Sequence, residues 1–216
     1  MTRRRQCQGR GGTITKDIDF LPARKGHFRL ESGHHGDLWL DLELLCVRPQ
    51  PIQRFAAQLA ARLKPHAIEM VCGPLIEGAF VALMVAAELG VPFAYAERSA
   101  TARGTGLYPL TYRIPPALRA MLRGKRVAIV NDVVNAGSAV RGAFDDLLAC
   151  GARPVVIAAL AVLGDHAAEF AAEHALGLEA LASLPNTIWT PETCPLCRRG
   201  VPLEDRFDLG KVPRES

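Results

Sequence analysis

The sequence predicts an α/β fold in which helices flank a mainly parallel β-sheet. Short, continuous apolar runs alternate with helix-length segments from residue 67 to residue 184, which is the order of parallel strands joined by crossover helices. The apolar runs hold few polar residues, as expected of strands that are buried on both faces. Hydrophobic residues make up 49% of the 216-residue chain, enough to build the core of one domain of ordinary size.

A hairpin subdomain is predicted to precede this core, over residues 13–48. Apolar and polar residues alternate over 26–32, a turn rich in glycine and histidine follows at 33–36, and leucines then alternate with polar residues at 38, 40, 42 and 44. Period-two alternation on both sides of a glycine-flanked turn is typical of a half-buried β-hairpin. We expect this hairpin to form a hood beside the sheet.

The remaining elements are predicted in chain order. Apolar spacing gives a helix over 51–63, with Pro51 in its first turn. An α/β core over 49–185 then contains strands at 67–72, 92–97, 126–131, 154–163 and 178–184 and helices at 78–89, 139–149 and 165–176. Between residue 98 and residue 123 we expect a long loop and a short hairpin. Residues 186–216, which contain several prolines, are expected to form an irregular C-terminal tail.

Composition and charge exclude several classes of protein. No apolar run reaches the roughly 18 residues that span a bilayer, and no signal-peptide pattern follows the first arginines, so we expect a cytoplasmic protein without a membrane partner. The net charge of +4 comes from four arginines in residues 1–12, so the rest of the chain sums to zero. We expect this tail to be disordered and the protein not to bind nucleic acid.

The segment 126–139 is the strongest indication of function. A buried strand carries Asn131 and Asp132 near its carboxyl end, the small-residue turn 135–138 follows, and a helix begins near Ala139. Backbone N–H groups at such a helix start bind anions, and a neighbouring acid can hold sugar hydroxyls or Mg²⁺. The turn lacks the GxxxxGK(S/T) and GxGxxG spacings of the common nucleotide loops. The alternative is an ordinary strand–turn–helix whose helix is capped by Asn135 or Ser138.

A basic stretch runs from Arg98 to Arg126. It contains seven basic residues and no Asp or Glu. A local positive field of this kind suits a polyanionic small molecule, while the alternative is a solvated loop and hairpin face.

Cys194 and Cys197 form a CxxC motif in the tail. The pair resembles half of a zinc knuckle, but a structural Zn²⁺ needs four ligands. His174, another histidine or a partner chain could complete the site, and a free or redox-active pair is the alternative. The histidines at 27, 34 and 35 are expected to be solvated residues of the hairpin.

Three segments, in this order, resemble the orotate phosphoribosyltransferases, which are type I phosphoribosyltransferases. Residues 26–33 follow the family's "GxFxLxSG" hood motif, residues 72–78 stand at its first-strand loop, and residues 131–138 match its sugar-phosphate loop, with Asn131 and Asn135 replacing an acid and a threonine. The resemblance covers about residues 14–185. It implies the type I fold: a parallel sheet flanked by helices, with an N-terminal hairpin hood.

The resemblance also implies an activity in pyrimidine biosynthesis. The enzyme would transfer the phosphoribosyl group of phosphoribosyl pyrophosphate (PRPP) to orotate or a related nucleobase, giving a nucleoside 5′-monophosphate and pyrophosphate. It would use Mg²⁺, form a homodimer, and close a lid at about 99–109 over the site. The implied site comprises Asp132 and Arg103 for catalysis; Asn131, Asp132, Asn135, Ala136, Gly137, Ser138 and Ala139 for PRPP; Leu75, Ile76, Glu77, Arg98 and Arg103 for pyrophosphate; and Phe28, Glu31 and Ser32 for the base.

The sequence departs from the family pattern at three places. Glu77 stands where many members have lysine, Arg103 is the only substitute for the lysine of the lid, and residues 162–166 lack the arginine that binds orotate's carboxylate. Three hypotheses therefore stay open: an active phosphoribosyltransferase, a PRPP- or nucleotide-binding regulatory protein that has lost the chemistry, and a scaffold module assembled around zinc.

Overall fold

A computed structural model describes residues 23–30, 33–99 and 111–205. The strands are β1 (Ala23–Arg29), β2 (His35–Leu40), β3 (Met70–Pro74), β4 (Phe93–Arg98), β5 (Tyr112–Arg113), β6 (Arg126–Val134), β7 (Arg153–Leu163), β8 (Gly177–Leu184) and β9 (Ile188–Trp189). The α-helices are α1 (Leu42–Leu45), α2 (Pro49–Leu63), α3 (Glu77–Leu89), α4 (Pro116–Leu122), α5 (Ser138–Ala149), α6 (His166–Glu173) and α7 (Pro195–Arg198).

The predicted fold class is confirmed. Six strands form one sheet in the order β5-β4-β3-β6-β7-β8, and all neighbours are parallel except the short edge strand β5. Three further strands form a small antiparallel sheet in the order β1-β2-β9. Within the described ranges, no helix is both long and apolar enough to cross a membrane.

The core lies on both faces of the large sheet. Neighbouring residues of β6 point to opposite sides: Ala128 and Val130 pack with α2 and α3, while Val127 and Ile129 pack with α4, α5 and α6. The same alternation holds in β3 and over residues 156–160 of β7. Because both faces are covered, the strands are apolar throughout, and this is why the sequence indicates a parallel sheet.

The hood differs from the prediction at its end. Strand β2 stops at Leu40, and the following leucines form the short helix α1. Leu45 is buried in this helix, whereas Leu44 is 63% exposed. The leucine alternation predicts a continuing strand, but a helical turn buries Leu45 against the core and leads the chain into α2.

The segment before β6 also differs from the prediction. The expected short hairpin is replaced by β5, which pairs with β4, and by helix α4. Two prolines precede this helix or begin it, and Leu122 is fully buried in the core. Proline favours turns, but it also suits the first turn of a helix, and tertiary packing decides in favour of the helix here.

Asp146 of α5 fastens this segment to the core. Its carboxylate is 4% exposed and accepts hydrogen bonds from Arg113 Nη1 at 3.2 Å, Arg119 Nη1 at 2.7 Å and the backbone N–H of Ile114 at 2.7 Å. Two cations of the basic stretch are thus committed to a structural contact. The sequence alone suggested that they would serve a bound polyanion.

We expect Asp146→Asn to lower the free energy of unfolding by about 2–3 kcal/mol, because it removes a buried charge that is paired with two arginines and bonded to a buried amide. Urea denaturation followed by circular dichroism measures the loss. Asp145→Asn, one residue earlier and exposed, is the matched control and should change stability by no more than about 0.5 kcal/mol. Equal losses in the two variants would show that the contacts of Asp146 with Arg113, Arg119 and Ile114 do not contribute to the free energy of unfolding.

The C-terminal tail contains strand β9 and helix α7 instead of being wholly irregular. Strand β9 pairs with β2 along one edge of the hood. Further on, Glu204 lies along the other edge: its N–H donates to the carbonyl of His27, and its carbonyl accepts from the N–H of Arg29. Residues 188–205 therefore contact both edges of the hood hairpin.

Candidate active site

A cavity of about 730 Å³ opens where β3, β4 and β6 end. The carboxyl ends of parallel strands are where ligands bind in open α/β sheets. The hood covers one side of the cavity through Leu38, Trp39 and Leu40 of β2. The remaining wall comes from the loops that follow β3 and β6 and from the start of β5.

The loop after β6 forms a half-buried wall of small residues. Asn135, Ala136, Gly137, Ser138 and Ala139 all line the cavity. Gly137 has φ of +85° immediately before α5, a left-handed conformation that glycine adopts without strain. The first N–H groups of a helix have no partner within the helix, so this turn can present backbone donors to an anion.

The loop after β3 lines the same cavity, and β3 is the direct neighbour of β6 in the sheet. Leu75, Ile76 and Glu77 line the wall, and α3 begins at Glu77. Gly78 is buried against Asn131, whose side chain occupies the place where a β-carbon of residue 78 would lie. The Asn131 amide is held by a 2.8 Å hydrogen bond to the carbonyl of Val133.

Asp132 is the most strongly perturbed acid in this cavity. Its side chain lies at the end of β6 with 5% exposure. Burial, together with the negative charges of Glu77 and Glu43, raises its pKa to about 7, against a weaker opposing effect of the Val133 N–H. A carboxyl group held near half-ionisation in a cleft is typical of a functional site.

This pKa predicts a pH dependence for the stability of the ligand-free protein. Between the ordinary value of 3.8 and the folded value of about 7, the folded state binds a proton that the unfolded state releases. The stabilisation is therefore complete below about pH 4 and is lost as the pH rises through 7. We expect the advantage of Asp132→Asn over the wild type in urea denaturation to grow from about pH 4 to about pH 7 and to stay constant above that. A stability difference between the two proteins that does not change with pH would contradict the raised pKa of Asp132.

Comparison with known proteins identifies the family. Residues 49–183 match the family described as "Phosphoribosyl transferase domain". This range includes both loops of the cavity. The chain belongs to the phosphoribosyltransferase family.

Named relatives agree with this family. Orotate phosphoribosyltransferase of Pelotomaculum thermopropionicum is 32% identical over 177 residues, which are 82% of this chain and 86% of the relative. Orotate phosphoribosyltransferase of Caldanaerobacter subterraneus is 29% identical over 183 residues, 83% and 87% of the two chains.

Solved structures share the fold. Orotate phosphoribosyltransferase from Aeropyrum pernix has a TM-score of 0.58 at 21% identity, covering 75% of this chain and 88% of its own. Adenine phosphoribosyltransferase from Thermoanaerobacter pseudethanolicus has a TM-score of 0.56 at 17% identity, covering 68% and 88%.

The phosphoribosyltransferase cavity contains most, but not all, of the residues singled out from the sequence. Every predicted PRPP residue lines it, as do Leu75, Ile76, Glu77 and Arg98. Phe28 does not: it is 2% exposed, and its ring lies 5.8 Å from that of Trp39, inside the hood. The Phe28 ring packs beside Gly26 and Trp39 within the hood, and it is Trp39 that lines the cavity. Glu31, Ser32, Arg103 and the lid except Ser99 lie outside the described residues.

Sequence reasoning missed other residues of the cavity in the phosphoribosyltransferase. Glu43, Glu97 and Tyr112 line it as well. Glu43 is brought there by the helical turn α1, which the leucine alternation conceals. Tyr112 is buried against α5, and only its position within the basic stretch could have suggested a role.

The hood histidines are not solvated as expected. His27 and His35 are 3% and 5% exposed, and both contact the CxxC motif. His174, considered above as a metal ligand, instead packs between the rings of Phe144 and Phe170, with centroids at 4.5 and 4.4 Å. The phosphoribosyltransferase therefore has a second cluster of reactive side chains, in the hood and remote in sequence from the cavity loops.

Proposed function

We propose that this phosphoribosyltransferase transfers the phosphoribosyl group of PRPP to orotate, forming the nucleoside 5′-monophosphate and releasing pyrophosphate. The observation that carries the proposal is the pairing, in one cavity, of the small-residue turn 135–139 with the buried acid Asp132. Relatives that are named orotate phosphoribosyltransferase and are covered over more than four-fifths of their length support the choice of base.

The residues would act mainly by position and charge. In the reaction the bond from the anomeric carbon to pyrophosphate breaks, a bond to the base nitrogen forms, and the base loses a proton. The turn 135–139 would hold the 5′-phosphate on its backbone N–H groups, and Asp132 and Asn131 would hold the ribose hydroxyls. Fixing the sugar in this way favours a transition state in which positive charge develops on the ring.

Arg98 and the loop at 75–77 would face the pyrophosphate. Both line the same cavity as the turn 135–139. Arg103, in the proposed lid, would add a second cation. Glu77 would repel the diphosphate unless a cation lies between them.

The residues of the cavity fit Mg²⁺. Asp132 and Glu77 offer carboxylate oxygens, which this ion prefers together with phosphate oxygens of the substrate. Burial and the neighbouring acids raise the pKa of Asp132, and a cation bound beside it would favour the ionised carboxylate. When bound with PRPP, Mg²⁺ would neutralise charge on the departing pyrophosphate, and Asp132 would be among the residues that hold it.

The test is turnover with a panel of bases. The purified protein is incubated with PRPP, Mg²⁺ and orotate, uracil, adenine or hypoxanthine in turn, and pyrophosphate release is followed. We expect release with orotate alone. Pyrophosphate release with another base would show that this base, and not orotate, is the substrate. Protection from thermal unfolding by PRPP without any pyrophosphate release would show that the protein binds PRPP but does not catalyse the transfer.

We also propose that the enzyme is a cytoplasmic homodimer. Ile76, at the start of α3, is exposed together with Phe80 and Leu83, and their spacing places the three on one side of the helix. Leu44 and Val47 are exposed as well. Exposed apolar residues in this number favour association with a second copy. The five cysteines in the described ranges are free thiols, as is usual in the cytoplasm. Light scattering of the wild type and of Phe80→Glu measures the association.

A further inference from the structure

Four side chains with metal-binding atoms converge in the hood. They are His27 of β1, His35 of β2, and Cys194 and Cys197 at the start and within α7. One ligand atom of each lies within 4.8 Å of the corresponding atoms of the other three. The first three residues are buried, and Cys197 is exposed at the rim.

The spacing of the ligand atoms fits a single tetrahedral ion. The Nε2 atom of His27 lies 3.1 Å from Nδ1 of His35, 3.4 Å from Sγ of Cys194 and 3.7 Å from Sγ of Cys197, and the Sγ of Cys197 lies 3.2 Å from Nδ1 of His35. Zn–N distances of about 2.0–2.1 Å and Zn–S distances of about 2.3 Å place tetrahedral ligand atoms about 3.3–3.8 Å apart. The four groups are therefore already arranged at nearly the separations that zinc requires.

The surroundings of His27 favour metal binding through one particular nitrogen. Its Nδ1 lies 2.9 Å from the carbonyl oxygen of Val201. Because a carbonyl can only accept a hydrogen bond, Nδ1 carries the proton and donates it, and Nε2 is left unprotonated toward the cluster. A second-shell carbonyl that fixes the tautomer is a regular feature of histidine ligands.

We propose that His27, His35, Cys194 and Cys197 form a structural zinc site that clasps the C-terminal tail to the hood. Two thiolates and two imidazoles in tetrahedral array select zinc among the common divalent ions. All four positions are filled by the protein, so the site has no open coordination position for catalysis. The ion joins β1 and β2 to a segment more than 150 residues further along the chain, and β2 supplies Trp39 to the wall of the cavity.

The test begins with elemental analysis of the full-length protein, purified without a polyhistidine tag from zinc-supplemented culture. We expect about one zinc per chain. Cys197→Ser, which replaces the exposed ligand and disturbs packing least, should lose most of this zinc. His34→Asn, next to a ligand but outside the cluster, is the matched control and should keep it. A double variant, Cys194→Ser with Cys197→Ser, sets the background level of zinc. If the wild type contains no more zinc than this double variant, the proposal is wrong.

A second measurement needs no variant. Replacing the ion with Co²⁺ should give the visible bands of a tetrahedral complex and a near-ultraviolet thiolate-to-cobalt band. Chelation should raise amide hydrogen exchange in β1, β2 and residues 188–205, but not in β6. A colourless cobalt-treated protein, or a Cys194–Cys197 disulfide in the protein as purified under reducing conditions, would overturn the site. Neither readout depends on turnover, so failure of the zinc site is distinct from failure of the proposed function.

Discussion

Asp132→Asn is expected to lower kcat/KM for PRPP by at least about 100-fold, the order of loss that follows when the sugar is no longer held in its reactive position. Asparagine keeps the shape of the side chain but loses the charge that would hold the ribose hydroxyls and Mg²⁺. The substitution should not lower the stability of the folded protein. Because burial raises the pKa of Asp132 to about 7, the charged form is costly near neutral pH, and we expect the variant to melt at the same temperature as the wild type or higher.

The combination of lost activity and retained stability separates a binding role from a structural one. Initial rates with saturating base and varied PRPP, together with thermal melts without ligand, measure the two quantities. Asp145→Asn, on the exposed face of α5, is the control and should change neither. If Asp132→Asn keeps wild-type kcat/KM, the assignment of the sugar site is wrong. If it loses activity and also melts much lower, Asp132 supports the fold and not the substrate.

The sheet and most helices can be predicted from the sequence because their signals are local. A strand such as β7 is apolar along most of its length because helices cover both of its faces, and that pattern is visible without knowing the neighbours. The turn 135–139 lies within one strand–turn–helix unit, so its role can also be predicted locally. Helix α4 is different, since its prolines suit a turn equally well and only the packing of Leu122 decides.

Contacts between segments that are distant in the chain could not be predicted from the sequence. His27 and Cys194 are 167 residues apart, and nothing near either one indicates the other. Glycine and histidine around residues 33–36 have the composition of a solvated turn, yet the returning tail buries His35. Arg113 and Arg119 likewise look available to a ligand until α5 brings Asp146 between them. In each case the fold of the whole chain decides whether a polar group faces solvent, a ligand or another side chain.

Gly78→Ala is expected to destabilise the protein by about 1–3 kcal/mol, the usual cost of overpacking a tight core contact. The sign is informative because glycine to alanine within a helix ordinarily stabilises by about 0.5–1 kcal/mol. At residue 78 the new methyl group would fall on Oδ1 of Asn131. The amide must then leave its position beside Asp132, so KM for PRPP should rise together with the loss of stability. Urea denaturation and initial rates measure both effects.

A double variant tests whether Asn131 is the cause. Asn131→Ala removes the atoms that the new methyl group meets, so Gly78→Ala should cost much less stability in that background than in the wild type. Non-additivity of at least about 0.5 kcal/mol is the mark of a direct contact. Activity should behave differently: because Asn131 itself would hold the ribose, the double variant should regain stability and keep the raised KM for PRPP. Additive losses of stability would place the strain of Gly78→Ala elsewhere in α3, and recovery of KM along with stability would remove Asn131 from the sugar site.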